Sequence, residues 1–186
     1  MSKPFDVLHY GRRLPPGQTE RIPHDKQTAL KVFGDPEKYI RSGSENPDPS
    51  WEADILHSFI LPEPIPYIGG KVVKRVRFHE KMWHFALMAL NDVKNEGYWD
   101  LLAPWGGSYA FRRRAGGSNL SVHSWGIAFD INPEGNPMQV SGSKVKGVLA
   151  ETARGQELVK LFEEWGFYWG GRWTRPDPMH FQWGNW

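Results

Sequence analysis

The sequence predicts an α+β fold, in which a small antiparallel sheet is flanked by helices and preceded by an irregular, proline-rich arm. Two segments carry apolar residues at three- and four-residue spacing, which predicts helices over residues 77–96 and about 155–165. Short strand-like segments lie between and after them, and the connections are too short for crossovers. Neighbouring strands should therefore pair in antiparallel fashion.

The arm comprises residues 1–69. Ten of the 15 prolines lie within the first 70 residues, including Pro62, Pro64 and Pro66. Proline lacks a backbone donor and fixes φ, which excludes a regular helix or a central strand there. A few short elements are expected, one of them around Trp51–Phe59. The arm either wraps the domain or precedes it.

The second unit, residues 70–186, is predicted to be the compact domain. It begins with a strand over residues 71–76, and Gly97 and Gly166 are expected to end the two helices. The remaining predicted strands are at 107–111, 127–131, 167–169 and 179–183. His79 and His84 are expected on the first helix, where a spacing of five puts them on different faces.

Composition excludes several classes of protein. The 186 residues include no cysteine, which excludes disulfides, a thiol nucleophile and cysteine-ligated metal. A net charge of +2 gives no sign of a nucleic-acid partner, although the run Arg112–Arg114 leaves that class as a minor alternative. No apolar run approaches the roughly 20 residues of a transmembrane segment. Without a signal peptide, synthesis in the cytoplasm is expected.

One segment concentrates groups that can do chemistry, Ser121–Asn132. Read as a strand, Ile127, Phe129 and Ile131 share the core face, and Asp130 stands on the other beside the small Ala128. His123 would face away in a continuous strand. Gly126 can turn the chain, however, and bring His123 to the side of Asp130.

A second segment, Pro176–Trp183, adds Asp177 and His180, and two prolines stiffen the backbone around Asp177. Catalytic zinc uses three His, Asp or Glu ligands and leaves a position open for water. The predicted arrangement is one Zn²⁺ on His123, Asp130 and His180, with Asp177 as general base and acid. The alternative is a hydrogen-bonded structural His/Asp pair without metal.

These residues resemble a known family. Ser121, His123, Gly126, Ala128 and Asp130 match the Ser-x-His-x-x-Gly-x-Ala-x-Asp motif of zinc peptidases that act on peptidoglycan. The family comprises D-alanyl-D-alanine carboxypeptidases and phage L-alanyl-D-glutamate endopeptidases. The segment 177–181 resembles its second motif, in which the endopeptidases more often have Asp, as here. The resemblance covers about residues 70–183.

The resemblance implies a Hedgehog/DD-peptidase-like fold and the same roles for the three ligands and Asp177. It also implies an arginine that binds substrate or stabilises the oxyanion. Arg112 is the best match for that role, although the register along Arg112–Arg114 is open, and Arg114 is a further substrate-binding candidate. Ser121 is expected to support the site, or else to serve only in a turn. Trp125 and Trp169 are expected either to line a peptide groove or to pack in the core.

The predicted function is cleavage of a peptidoglycan stem peptide, most simply between L-Ala and D-Glu, by a monomeric, endolysin-like enzyme of phage or prophage origin. It would reach the wall after phage-mediated release or as part of a virion. One alternative is a D-alanyl-D-alanine carboxypeptidase. A second, of another class, is a non-catalytic zinc-binding module or a virion structural part.

Overall fold

The computed structural model describes residues 10–16, 18, 22–42, 44, 46–114 and 117–185. Within them the chain forms five α-helices and six β-strands. The helices are α1 (Lys26–Phe33), α2 (Pro49–Ile55), α3 (Trp83–Asn95), α4 (Val148–Glu151) and α5 (Ala153–Glu164). The strands are β1 (Leu56–Pro66), β2 (Val72–His79), β3 (Trp105–Gly107), β4 (Ala128–Ile131), β5 (Phe167–Trp169) and β6 (His180–Trp183). The predicted α+β class with antiparallel pairing is confirmed.

The larger sheet has four antiparallel strands in the order β3–β4–β6–β5. Its two central strands, β4 and β6, pair so that Asp130 lies opposite His180 and Phe129 opposite Phe181. Because side chains alternate across a strand, these two pairs project to opposite faces of the sheet. One face therefore carries polar groups, and the other carries aromatic rings.

The aromatic face of the sheet packs into the core around Phe129. Its ring is stacked on Phe181 at 5.4 Å and on Trp105 at 5.6 Å, and it meets Phe162 of α5 edge-on at 5.0 Å. Offset and edge-on pairs are the favoured arrangements of aromatic rings. This aromatic packing holds β4 and β6 in place from one side of the sheet. It therefore also fixes the positions of Asp130 and His180, which project from the other side.

The smaller sheet is the antiparallel hairpin of β1 and β2. Its first strand contains Pro62 and Pro64, and the register shifts between Ile60 and Ile65. A strand with one free edge tolerates prolines that a central strand would not. The predicted division between arm and domain, at 69/70, falls in the turn between β1 and β2.

The helix expected over residues 77–96 begins later, at Trp83, because residues 77–79 belong to β2. His79 accordingly ends a strand, and only His84 lies on the helix. The helix expected at 155–165 is observed as α5, and Gly166 follows its end with a positive φ.

Residues before β1 contribute to the same core as the two sheets. Trp51 of α2 is 2% exposed, and Phe33 at the end of α1 is 3% exposed. Residues 11 and 13 bond through their backbone nitrogens to the carbonyls of Glu163 and Glu164 at the end of α5. Among the described residues, no helix has the length and apolar character to cross a membrane.

Candidate active site

His123 reaches the polar face of the sheet on a single 3₁₀ turn, Val122–Trp125. The Ser121 hydroxyl accepts from the His123 backbone nitrogen at 3.4 Å and caps this turn. Gly126 then adopts the left-handed conformation, with φ of 68°, and leads the chain into β4. A Cβ on Gly126 would lie 2.7 Å from the Leu56 side chain, so both conformation and space require glycine.

The predicted ligands converge as the sequence suggests. His123 Nε2 lies 3.2 Å from His180 Nδ1, and both nitrogens approach Asp130 Oδ1, at 3.3 Å and 2.9 Å respectively. The two histidine side chains are almost fully buried, whereas the Asp130 side chain is 18% exposed. Three potential ligand atoms therefore share one small site that opens to solvent on the side of Asp130.

Two further groups orient the histidine rings. The Ser108 carbonyl lies 3.1 Å from His123 Nδ1, and Gln182 Oε1 lies 3.2 Å from His180 Nε2. The Ser108 oxygen is a backbone carbonyl and can only accept a hydrogen bond. Gln182 also presents its oxygen to His180, because its amide nitrogen donates to the carbonyl of Gly184. Each neutral ring therefore carries its proton on the outer nitrogen and presents a lone pair to the site.

This arrangement fits a cation. Two imidazole lone pairs and a carboxylate oxygen meet with no donor among them, which is unfavourable unless a positive charge lies between them. Zn–N distances of about 2.0–2.1 Å place two ligand atoms of a tetrahedral site about 3.3–3.4 Å apart. Two of the observed separations, 3.2 and 3.3 Å, are close to that value, and the third is shorter, at 2.9 Å. These three residues are the only group of His, Asp and Glu side chains with metal-ligand spacing in the described part of the chain.

The charges of the site are coupled. Burial alone would raise the pKa of Asp130, but its interactions with the His123 and His180 rings outweigh burial and hold the pKa far below its usual range. Burial likewise opposes protonation of His180, yet its contact with Asp130 raises the pKa of that ring. The carboxylate thus stays ionised and supplies negative charge to a bound cation.

Asp177 lies beside this group in a rigid segment. Its backbone nitrogen donates to the Gly170 carbonyl at 3.0 Å, and its own carbonyl accepts from the His180 nitrogen at 3.1 Å. Gly170 must be glycine here, because a Cβ would lie 2.6 Å from the Asp177 carbonyl oxygen. The loop between β5 and β6 therefore fixes Asp177 relative to the predicted ligand His180.

The Asp177 carboxyl is suited to proton transfer. The residue is 8% exposed, and its Oδ1 has no hydrogen-bond partner among the described residues. Burial raises its pKa, with the negative charge of Asp130 acting in the same direction and the His180 ring acting against it. A buried oxygen without a partner, beside a potential metal site, is available to a water or a substrate amide.

The three arginines of residues 112–114 differ in their surroundings. Arg112 lies close enough to Asp177 for its charge to lower the pKa of that carboxyl. Arg113 donates to the Ser118 carbonyl and pairs with Glu37. Arg114 lines a surface recess beside the start of α1, next to Trp125. Of the three, the structure brings Arg112 toward the predicted ligands, and its catalytic role stays a prediction.

Three further candidates lie in structural positions. Trp125 is 2% exposed and donates from its indole to the Gly34 carbonyl at 2.8 Å. Trp169 is 7% exposed and donates to the Pro178 carbonyl at 2.8 Å, which braces the segment of Asp177. Ser121 caps the turn of His123. Substrate contact by these three residues stays a prediction, while their hydrogen bonds support the backbone on both sides of the site.

Ser108 and Gln182 were missed by sequence analysis. Ser108 acts through its carbonyl, which any residue supplies, so its identity carries no signal. Gln182 did carry a signal in the sequence, because a residue two positions after His180 in a strand lies on the same face as His180. An amide on the face of a proposed ligand is a candidate for orienting it.

Residues 115–183 match the model of a family described as D-alanyl-D-alanine carboxypeptidase. The matched segment contains all three converging ligand residues and Asp177. This part of the chain is therefore similar to that family of zinc peptidases. No curated protein and no solved structure matches the chain significantly. The match supports a zinc metallopeptidase that acts on a peptidoglycan-type substrate, and it does not distinguish which peptide bond is cut.

Proposed function

We propose that the chain is a monomeric L-alanyl-D-glutamate endopeptidase that holds one Zn²⁺ on His123, Asp130 and His180. The observation that carries the choice of bond is aspartate at position 177, the residue that such endopeptidases have more often than glutamate at this point of the motif. The proposal includes delivery to the wall from a phage or prophage, as an endolysin or as part of a virion.

The residues divide the work as follows. Bound zinc would supply a water of lowered pKa and polarise the scissile carbonyl. Asp177 accepts the proton of the attacking water and passes it to the leaving amine, a role suited to a carboxyl whose pKa is raised by burial. Arg112 places a fixed positive charge where the substrate's oxyanion or carboxylate develops.

The second candidate is a D-alanyl-D-alanine carboxypeptidase, which the description of the matched family favours. The two reactions leave different products. An endopeptidase creates new amino termini on D-Glu and releases no free amino acid, whereas the carboxypeptidase releases free D-Ala.

The test is digestion of purified peptidoglycan, followed by labelling of new amino termini and assay of free D-Ala. We expect labelled D-Glu from the wild type, and about 10²–10⁴-fold slower labelling from Asp177→Asn, which should retain zinc. Release of free D-Ala as the product would contradict the endopeptidase activity and support the carboxypeptidase activity instead. Wild-type protein that binds zinc but cleaves no wall would favour a non-catalytic module.

A further inference from the structure

We propose that the loop of residues 137–146, together with Trp173, forms one wall of the substrate cleft and selects the stem-peptide residue beside the cleaved bond. The inference rests on the proposed function, because it assigns a specificity element to the same site. It concerns residues that neither sequence motif contains.

The loop is joined to the segment that carries Asp177. The Gln139 backbone nitrogen donates to the Pro176 carbonyl at 2.9 Å, and that of Gly142 donates to the Thr174 carbonyl at 2.7 Å. Pro176 is the residue directly before Asp177. The loop backbone is therefore fixed one residue away from the proposed acid/base.

The loop also holds its own shape. The Gln139 side chain donates to the Lys146 carbonyl at 2.8 Å and accepts from the Lys146 backbone nitrogen at 3.1 Å, which closes the loop across its base. At its tip, the Ser143 hydroxyl donates to the Val140 carbonyl at 2.8 Å. A loop bonded in this way presents its side chains in a defined arrangement, which lowers the ordering cost of binding a ligand.

The side chains flanking Gln139 are apolar and exposed. Val140 is 74% exposed and Met138 is 48% exposed, although large apolar side chains are usually buried. Trp173, next to Thr174, is partly exposed, and its ring centroid lies 5.2 Å from that of His180. Apolar side chains thus lie both beside the His180 ring and on the loop that is bonded to Pro176.

The charge of this wall indicates what kind of ligand it would bind. Lys144, Lys146 and Arg175 are exposed, and neither residues 137–146 nor residues 174–176 contain an acidic side chain. A ligand that carries a small alkyl group next to a free carboxylate would satisfy both features. An acidic stem peptide with alanine beside the scissile bond belongs to this chemical class.

The experiment compares the wild type with Met138→Gln/Val140→Ser on a soluble stem peptide. We expect kcat/KM to fall by about 10–200-fold, the range for lost apolar contact in a pocket, chiefly through a higher KM. Zinc content and thermal midpoint should not change, because both side chains are exposed. Val72→Ser is the matched control, since Val72 is 57% exposed but lies on the separate hairpin.

A second variant, Lys144→Gln/Lys146→Gln, tests the charge. It should lose the preference of the wild type for a stem peptide with a free carboxylate over the amidated form. If both loop variants match the wild type in kcat/KM and in this preference, the loop inference is wrong while the proposed function stands. A wild type that cleaves neither wall nor stem peptide overturns the proposed function, and the loop inference falls with it.

Discussion

The indole nitrogen of Trp51 donates a hydrogen bond to the main-chain carbonyl of Ser124 at 3.0 Å, inside the core. Ser124 directly follows the predicted ligand His123. In the opposite direction, the Trp125 indole donates to the carbonyl of Gly34 at 2.8 Å. Two hydrogen bonds with residues that precede the first strand therefore hold the turn that carries His123.

Replacing Trp51 by phenylalanine should weaken zinc binding as well as stability. Trp51→Phe keeps a buried ring but leaves the Ser124 carbonyl without its donor, at a cost of about 1–3 kcal/mol in unfolding free energy. Because that carbonyl belongs to the turn of His123, the dissociation constant for zinc should rise several-fold, as measured by competition with a chelating dye.

The control is Trp165→Phe. Trp165 is similarly buried and donates from its indole to Asp92 Oδ2 at 2.9 Å, but it lies at the end of α5. It should lose comparable stability without losing zinc affinity. Equal affinities for the wild type and Trp51→Phe would show that the arm does not position His123.

Gln182→Met tests the orientation of the other histidine. Gln182 is fully buried, and its Oε1 faces His180 Nε2 at 3.2 Å. Methionine matches its length but removes the acceptor, and loss of such an outer partner typically costs 10–100-fold in metal affinity. Gln156→Met, on the exposed face of α5, is the control. Unchanged zinc affinity in Gln182→Met would refute the assigned tautomer.

The arginine run can be resolved by comparing single variants. Arg112→Ala should lower kcat/KM by about 10²–10³-fold with zinc retained, because it removes an arginine charge that acts on Asp177. Arg114→Ala should stay within about twofold, since Arg114 faces the recess beside α1. A larger loss of kcat/KM in Arg114→Ala than in Arg112→Ala would assign the substrate-binding or oxyanion-stabilising role to Arg114 instead.

His79 should make stability depend on pH. It is buried, its Nε2 lies 3.3 Å from the Phe33 carbonyl, and its Nδ1 accepts from the Lys81 backbone nitrogen at 3.1 Å. Burial lowers its pKa from 6.5 to about 4, with the Lys81 charge acting in the same direction. Between these pH values the unfolded chain binds a proton that the folded protein does not, so stability falls as pH falls.

The expected loss attributable to His79 is about 3 kcal/mol on going from above pH 6.5 to below pH 4. It can be measured by denaturant unfolding of metal-free protein, comparing the wild type with His79→Gln. The metal ligands titrate alike in both proteins, so the difference between the two curves isolates His79. Parallel curves would show that His79 does not carry the effect.

The convergence of His123 and Asp130 could be predicted from sequence because it depends on local geometry. His123 and Asp130 lie within one turn and one strand, and Gly126 marks the point where the chain must bend. His180 joins them through strand pairing, and its motif supplied that information.

Other features depend on contacts between distant segments. Trp51 is an aromatic residue in a proline-rich stretch, and nothing near it in sequence indicates that its indole reaches Ser124. The apolar spacing over residues 77–96 also continues through Phe78 and His79, which pair with His57 and Leu56 in the hairpin. Periodicity alone does not separate the end of a strand from the start of a helix.

The most direct test of the central claim is the zinc content of the wild type and of His180→Ala, each stripped with chelator, reloaded and dialysed, and then assayed on purified wall. We predict about one zinc per chain and wall cleavage for the wild type, with neither for His180→Ala. A folded wild type that retains no zinc, or a His180→Ala variant that retains as much zinc as the wild type, would contradict the account.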